Sequence, residues 1–276
     1  MKIFRKASEL EPNLVSIKDK GQSIGLVLTM GNLHDGHLSL IREAQLHNEF
    51  VICSIFINPT QFNNENDFNS YPKTIDEDIS KLENIGCNVL FLPEVQEIYP
   101  KGLAKKKIVN NFRNILCDKF RPGHFDGVTT VVDLFFNMIK PTNSYFGEKD
   151  FQQVKIIQDL VKINHHNIKI IQCPSVRDKM GMSLSSRNSK FSNDQLKIFN
   201  VLGNKIKEHI NLLTQNEINN LDQLKIELLQ NNINKIDYLE IRNENNLEIT
   251  KNYSEARLFI ALYIGDIRII DNFKLY

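Results

Sequence analysis

The chain has 276 residues, of which 41% are hydrophobic and 24% charged, a composition typical of a soluble globular protein. Its formal net charge of +1 provides no overall field that would attract nucleic acid or an anionic membrane, so we expect neither partner. No apolar stretch approaches the roughly 18 residues of a membrane span. No N-terminal basic segment leads into an apolar run, so we expect no secretory signal.

From residue 24 onward, apolar runs that predict strands alternate with amphipathic segments that predict helices. Strands that are apolar throughout and separated by helices form a parallel sheet covered on both faces. The predicted fold class is α/β, with a doubly wound, Rossmann-like parallel sheet. The expected strands are 24–30, 51–58, 89–93, 143–147 and 168–174, and the expected helices are 37–47, 74–86, 127–141 and 150–164.

After about residue 190 the pattern changes to that of a small α+β domain. Helices are expected at 191–213 and 221–230, and antiparallel strands at 237–243 and within 256–272. We therefore expect a catalytic domain, residues 1–178, and a smaller α+β domain, residues 179–276, that closes over the active site.

Two helix starts carry capping-box spacing, namely Thr74 with Glu77 and Ser192 with Gln195. The Asn-rich sequences TQNEINN (214–220) and QNNINK (230–235) are expected to be polar surface, and the lysines at 105–107 a solvated loop.

The four cysteines lie at positions 53, 87, 117 and 173 and never form a CxxC pair. This spacing argues against a zinc site or a disulfide framework and favours a reducing compartment, so we expect a cytoplasmic protein. The thiols are expected to be small buried apolar groups.

The segment LVLTMGNLHDGHLSLIREA, residues 26–44, contains two histidines where an apolar strand ends and a helix begins. The N–H groups and dipole of a helix N-terminus favour phosphate, and Gly31 and Gly36 let the backbone approach a ligand closely. His34 and His37 can face the same anion there. The alternative is that they only cap the helix. The segment is neither a Walker A loop nor GxGxxG.

Two further loops place polar side chains after strands or before helices. In FINPTQF, Asn58 and Gln61 carry amides that can bind hydroxyl or carboxylate groups, although such a sequence alone is often only a turn. In KFRPGHFDGV, Arg121 and His124 precede a helix and suit an anionic ligand, with a surface salt bridge as the alternative for Arg121.

The last two loops contain charged and hydroxyl groups. In SYFGEKDFQQ, Lys149 can contact phosphate, Asp150 can bind a ribose hydroxyl or magnesium, and Gln153 lies one turn further along. The segment 175–192 contains Ser185, Ser186, Arg187 and Asn188, which suit a mobile clamp over triphosphate; an ordinary polar linker is the alternative.

The HxGH sequence resembles that of nucleotidyltransferases that form adenylates, which class I aminoacyl-tRNA synthetases share. The segments TMGNLHDGHLSLI, FINPTQF, YPKT, FRPGHFDGV, YFGEKDFQQ and SSRN, in this order between residues 24 and 192, resemble the pantothenate synthetase (pantoate–β-alanine ligase) family. The resemblance implies a Rossmann-like nucleotidyltransferase fold and a homodimer. It also implies that ATP and Mg²⁺ convert pantoate to pantoyl adenylate and pyrophosphate, and that β-alanine then yields pantothenate and AMP, a step of coenzyme A biosynthesis.

The resemblance further implies residue roles. His37 would be the family's proton donor, and His34, Lys149 and Arg187 would complete the catalytic set. The ATP-binding residues would be Met30, Gly31, Asn32, Leu33, His34, Asp35, Gly36, His37, Gly147, Glu148, Lys149, Asp150, Val176, Leu184, Ser185, Ser186 and Arg187. Gln61, Gln153 and Arg121 would bind pantoate or β-alanine. Side-chain chemistry adds Asn58 to this substrate set and makes Asp150 the one candidate metal ligand.

The chain departs from the family pattern at several loop positions without losing a residue that has a proposed role. The departures are Asn32 for alanine, Asp35 for glutamate, Cys117-Asp118 for Glu-Gly, Met180 for an acid and Ser183-Leu184 for Ala-Met. Three alternatives stay open: an adenylate-forming enzyme for another small acid, an aminoacyl-tRNA synthetase, and a non-catalytic nucleotide sensor. The short, nearly neutral chain argues against the synthetase, because it leaves no room for an anticodon-binding extension.

Overall fold

The structure, a computed structural model, describes residues 1–102, 106–165, 167–215 and 221–276. Lys105 and residues 216–220 of the Asn-rich stretch, for which surface positions were predicted, lie outside the described residues. The chain divides into two compact units. The N-terminal unit comprises Met1–Arg113, Arg121–Glu148 and Gln153–Pro174; the C-terminal unit comprises Asn114–Phe120, Lys149–Gln152 and Ser175–Tyr276. The single boundary at residue 178 stays a prediction.

The N-terminal unit contains a six-stranded sheet in the order β1-β4-β3-β2-β5-β6, and all of its strand pairs are parallel. The strands are β1 (Lys2–Phe4), β2 (Ile24–Thr29), β3 (Phe50–Ile55), β4 (Val89–Phe91), β5 (Asn143–Gly147) and β6 (Lys169–Cys173). From β2 the chain proceeds to β3 and β4 on one side, then returns to β5 on the other. This reversal at β2 and β5 is the switch point at which doubly wound sheets bind ligands. The predicted α/β fold is confirmed.

Helices cover this sheet because their apolar residues recur at helical spacing. Helix α2, for example, buries Leu40, Ile41 and Ala44. The helices of the chain are α1 (Ala7–Asp19), α2 (Asp35–His47), α3 (Glu65–Asn69), α4 (Ile75–Asn84), α5 (Val95–Ile98), α6 (Leu116–Phe120), α7 (His124–Ile139), α8 (Phe151–Asn164), α9 (Asn193–Thr214) and α10 (Asp222–Gln230). Helix α7 ends as predicted before Pro141, with Lys140 in the left-handed region.

Two elements before residue 24 were not predicted. Strand β1 has only three residues, of which two are exposed, so it carries no apolar run. Helix α1 contains Pro12, which weakens the helical signal.

One of the two capping boxes is wrong. Thr74 makes no hydrogen bond that caps α4; its hydroxyl donates instead to Asp78 Oδ2 at 3.2 Å. The Ser192–Gln195 box is confirmed: the Ser192 hydroxyl accepts from Gln195 N, and Gln195 Oε1 accepts from Ser192 N.

The C-terminal unit contains an antiparallel sheet of β7 (Lys235–Asn243), β8 (Ala256–Ile264) and β9 (Ile267–Lys274), as the α+β prediction required. One face of β8 and the apolar side of α9 form a common core. Its buried members include Leu258, Ile260, Leu262, Phe199, Leu202 and Ile206.

No helix among the described residues is long and apolar enough to cross a membrane. All four cysteines are buried and none forms a disulfide, which confirms their predicted role as small buried groups.

Candidate active site

The turn that follows β2 is organised by a buried carboxylate from α4. The backbone reverses at Gly31 and Asn32, with φ values of +81° and +49°, and asparagine tolerates this region better than most residues. The N–H groups of Asn32 and Leu33 donate to Asp78 Oδ2 and Oδ1 at 2.8 and 2.7 Å. Asp78 is fully buried. The carboxylate therefore fixes the path of the turn from behind.

The two histidines form a reciprocal cap at the start of α2. His34 Nδ1 accepts from the N–H of Gly36 at 3.1 Å, and His37 Nδ1 accepts from the N–H of His34 at 3.3 Å. Their ring centroids are 4.1 Å apart. A neutral imidazole that accepts at Nδ1 carries its hydrogen at Nε2. Both rings thus cap the helix. The same hydrogen bonds fix each ring in the tautomer that presents an Nε2–H donor, so capping does not exclude a role in binding an anion.

The glycine within HxGH is required by this cap. A Cβ atom on Gly36 would lie 2.8 Å from Cε1 and 2.9 Å from Nδ1 of His34. The His34 ring can fold over the backbone and accept the Gly36 N–H only because no side chain is present. The spacing of the motif therefore has a steric reason as well as a chemical one.

Asn58 and Gln61 lie after β3 and contact each other. Asn58 Nδ2 donates to Gln61 Oε1 at 3.0 Å, and Gln61 Nε2 contacts the sulfur of Met30 at 3.0 Å. Asn58 is 1% exposed, and its Oδ1 accepts from the hydroxyls of Tyr99 and Thr60 at 2.8 and 2.9 Å. These contacts favour a role for Asn58 in orienting Gln61 over direct contact with substrate. Burial raises the pKa of Tyr99, so its hydroxyl remains a donor.

The RPGH turn holds the main chain of Gln61. Its carbonyl accepts from His124 Nδ1 at 2.7 Å and from Arg121 Nη2 at 3.3 Å. Arg121 Nη1 lies 3.0 Å from His124 Nε2, and since arginine only donates, His124 accepts at Nε2 and carries its hydrogen at Nδ1. The predicted residues Arg121 and Gln61 are therefore neighbours.

A close backbone contact fixes the same turn against α7. A Cβ atom on Gly127 would lie 2.4 Å from the carbonyl oxygen of Thr60 and 2.8 Å from Gln61 N. Asn58 Nδ2 also donates to the carbonyl of Gly127 at 3.2 Å. Only glycine permits this approach.

The predicted residues of the N-terminal unit follow three adjacent strands. The HDGH turn follows β2, the Gln61 turn follows β3, and Gly147 ends β5, which pairs with β2 on its other side. Glu148 follows and accepts from Gln172 Nε2 at 2.7 Å. Gln153 is half-buried in α8.

The remaining predicted residues belong to the C-terminal unit. Lys149 Nζ lies 3.8 Å from Asp150 Oδ2. The carbonyl of Val176 accepts from the N–H of Leu184 at 3.0 Å, and the Ser185 hydroxyl accepts from the N–H of Arg187 at 3.2 Å. Residues 184–187 are half-buried.

No group of three or more histidine, cysteine or acidic side chains that could hold a metal occurs in the part of the chain that the structure describes. Asp150 is 45% exposed and lies beside an ammonium, so it suits at most one ligand of an ion whose other ligands come from elsewhere.

Sequence reasoning missed three residues that shape the site, namely Asp78, Tyr99 and Gly127. Asp78 had a detectable signal, because it lies four residues before the apolar Leu82, on the side of α4 that faces the core. A carboxylate at such a position calls for buried donors. The other two act through contacts distant in sequence.

Comparison with known proteins identifies the family of the chain. The family model of pantoate-beta-alanine ligases matches residues 2–274. The chain belongs to this family. The pantothenate synthetase of Thermodesulfovibrio yellowstonii is 41% identical over 262 residues, 93% of each chain, and that of Francisella tularensis subsp. novicida is 44% identical over 255 residues, 92% of this chain and 90% of the relative.

A solved structure supports the same assignment. The pantoate-beta-alanine ligase of Francisella tularensis, crystallised with "Beta-gamma ATP and Beta-alanine", has a TM-score of 0.85 and 39% identity, and the alignment covers 100% of this chain and 98% of that one. The predicted family and fold are confirmed.

Proposed function

We infer that this chain, like its ligase relatives, condenses pantoate with β-alanine at the expense of ATP, through a pantoyl-adenylate intermediate. The observation that carries this inference is the HDGH turn, in a chain whose relatives are pantothenate synthetases. Two Nε2–H donors lie there at a helix N-terminus, beside the switch point of the sheet.

In the first half-reaction, a carboxylate oxygen of pantoate attacks the α-phosphorus of ATP. The new acyl–phosphate bond forms as the bond from the α-phosphorus to the bridging oxygen of the β-phosphate breaks, and pyrophosphate leaves. Negative charge on the phosphate oxygens grows during this step. The Nε2–H groups of His34 and His37 stabilise it, with His37 the proton donor to the oxygen of the leaving pyrophosphate.

In the second half-reaction, the amine of β-alanine attacks the acyl carbon of the adenylate. A carbon–nitrogen bond forms, the carbon–oxygen bond to AMP breaks, and the amine loses a proton to solvent. Activation is required because oxide is a poor leaving group, whereas AMP is a stable anion.

The other predicted residues receive roles that follow from their chemistry. Gln61 and Gln153 donate amide hydrogens to pantoate, and Gln61 also meets β-alanine. Arg121 attracts the β-alanine carboxylate. The ATP contacts are those of residues 30–37, 147–150 and 184–187, with the Val176 main chain at the adenine.

We propose that magnesium enters with ATP as the metal–nucleotide complex. Asp150 would supply one oxygen ligand, while the phosphates and water supply the rest, as is usual for Mg²⁺ bound to nucleotides. When bound, the ion would neutralise phosphate charge, and the protein would have to supply few ligands of its own. A homodimer and a cytoplasmic location remain proposals of the same kind.

The test is pyrophosphate exchange into ATP by the purified protein with magnesium. We expect exchange that requires pantoate, proceeds without β-alanine and fails with a panel of other small acids and amino acids. Exchange with a different acid would keep the mechanism and overturn the substrate. If the folded protein bound ATP but catalysed no pyrophosphate exchange with any acid, it would instead be a nucleotide sensor.

A further inference from the structure

Two adjacent residues of strand β9, Asp271 and Asn272, are 3% and 1% exposed and take no part in the chemistry above. Their side chains contact two separate segments of the C-terminal unit. Each of these segments contains residues that we assigned to ATP binding. Polar groups buried this deeply are retained only where their hydrogen bonds are satisfied, so their partners define what they hold in place.

Asp271 fixes the base of the segment that leads to Ser185–Arg187. Its Oδ2 accepts from the N–H of Ser183 at 2.7 Å, and its Oδ1 accepts from the Ser183 hydroxyl at 2.6 Å. Arg177 Nη1 donates to Oδ2 at 3.0 Å. Both ends of the 177–183 turn are thus bound to one carboxylate.

The turn itself is closed by its own hydrogen bonds. Asp178 N donates to the carbonyl of Met182 at 2.8 Å, and Asp178 Oδ1 accepts from Met180 N and Met182 N, each at 2.9 Å. Gly181 has a φ of +84°, as such a reversal requires. The turn is thus closed by its own hydrogen bonds and bound to β9, so it sets the point from which residues 184–187 continue.

Asn272 holds the second segment. Its Nδ2 donates to the carbonyl of Lys149 at 3.1 Å, while its Oδ1 accepts from Arg257 Nη1 at 2.7 Å. Its own carbonyl accepts from Arg177 Nη2 at 2.6 Å, so the Arg177 guanidinium bridges the two β9 residues. The main chain of Lys149 and the base of the 177–183 turn therefore share one anchor.

We propose that Asp271 and Asn272 are positioning residues for ATP, which set the relative placement of Lys149 and the Ser185–Arg187 segment. The proposal rests on the function inferred above, since it takes those residues to contact the triphosphate. The pair does not touch the substrate. It acts by limiting the relative positions that Lys149 and the Ser185–Arg187 segment can adopt before ATP binds. A displacement of about 1 Å in such a site can lower the rate roughly a hundredfold.

The test compares Asp271→Asn and Asn272→Ala with two controls, one in the same sheet and one immediately before its first strand. Glu240→Gln removes the carboxylate that accepts from Arg242 at 2.6 Å, and Asn234→Ala removes the acceptor of the Gly265 N–H at 2.6 Å. Neither control residue contacts Lys149 or the 177–183 turn through these bonds. Pyrophosphate exchange is measured with ATP and pantoate varied separately, and melting temperature is measured alongside.

We expect both test variants to raise KM for ATP or lower kcat about tenfold or more, with KM for pantoate within roughly twofold of wild type. The controls should leave all three constants unchanged. A lower melting temperature with unchanged KM for ATP and unchanged kcat would overturn the proposal, because the pair would then be purely structural. Equal changes in KM for ATP and pantoate would overturn it too.

Hydrogen exchange of the full chain keeps the proposal testable apart from turnover. Peptides covering residues 147–152 and 175–190 should exchange faster in the test variants than in the controls, and ATP should bind more weakly. If the wild type bound ATP but showed no pantoate-dependent pyrophosphate exchange, the proposed function would fail. Hydrogen exchange and ATP binding would still decide whether the pair positions the ATP-binding residues. If folded Asp271→Asn showed unchanged hydrogen exchange in both peptides, the proposed positioning role would be refuted.

Discussion

The turn at residues 30–37 and the segment at 176–187, both assigned to ATP, are each held from behind by one buried aspartate. Asp78 binds the first through the backbone N–H groups of Asn32 and Leu33, and it also accepts from the hydroxyl of Thr74 at the start of its own helix. Asp271 binds the second through a backbone N–H and a hydroxyl, but also through the Arg177 guanidinium. Among the described residues, no cation forms an ion pair with Asp78.

The difference follows from what each segment continues into. The first turn runs directly into α2, whose reciprocal histidine cap fixes its far end, so main-chain dipoles suffice to hold the near end. The second runs into half-buried turns at 184–190, and its base is held by an ion pair.

The largest expected effect concerns the front of the first turn. His37→Ala removes one Nε2–H donor and should reduce adenylate formation by about 10²–10³-fold, the cost typical of losing one preorganised donor. His47→Ala, at the exposed end of the same helix, is the matched control. Near-normal exchange by the folded His37 variant would show that the turn does not perform the chemistry.

Next in size is the stability cost of Asp271→Asn. It leaves Arg177 without its carboxylate partner, and since the Arg177 side chain is 30% exposed, we expect about 2–4 kcal/mol, reduced by solvent screening from the full cost of a buried pair. The free energy of unfolding in urea would measure it. A loss smaller than that of Asp78→Asn would contradict the contrast between the two anchors.

Asp78→Asn should cost less, about 1–3 kcal/mol, because it leaves one backbone N–H facing an amide donor but no ion uncompensated. Adenylate formation should fall along with stability, as Asn32 and Leu33 lose their fixed position. Asp76→Asn, an exposed position on the same helix, serves as control. Unchanged exchange rates in the Asp78 variant would mean that the turn holds its shape without the carboxylate.

Gly127→Ala extends the comparison to the Gln61 turn, which the RPGH turn holds without a carboxylate. The added Cβ would overlap the Thr60 carbonyl at 2.4 Å, costing about 1–3 kcal/mol, while alanine in a helix returns about 1 kcal/mol. KM for pantoate should rise roughly tenfold. Asn137→Ala, exposed on α7, should leave it unchanged. If the variant were more stable and had a normal KM for pantoate, the Gln61 turn would be able to move away from the added methyl group without cost.

The smallest effect is expected for Tyr99→Phe, which removes one of the donors to Asn58 and should cost about 0.5–1.5 kcal/mol. The pKa of Tyr99 is raised above 10, so the neutral hydroxyl contributes its stability in full below pH 10 and loses it as the pH rises through the folded value. The difference in unfolding free energy between wild type and variant should therefore be constant to pH 10 and shrink above it. A difference that fell already between pH 7 and 9 would contradict the assignment.

The sequence by itself determined the α/β class, the five core strands that follow one another along the chain from residue 24, and the loops that carry the candidate residues. These follow from local patterns: apolar runs for buried strands, helical spacing for α2, and the chemistry of HxGH, RPGH and SSRN. Even the capping box at Ser192 was predictable, since it depends on groups three residues apart.

Only the tertiary structure decided what supports those loops. Tyr99 acts on Asn58, 41 residues away, and Asn272 on Lys149, 123 residues away. The loop contacts of Asp78, Gly127 and Asp271 span 46, 69 and 88 residues. It also decided that the two histidines cap α2 with Nδ1 and so carry their hydrogens at Nε2. The physical reason is that a hydrogen bond constrains distance in space and leaves no trace in sequence spacing once its partners lie on different elements.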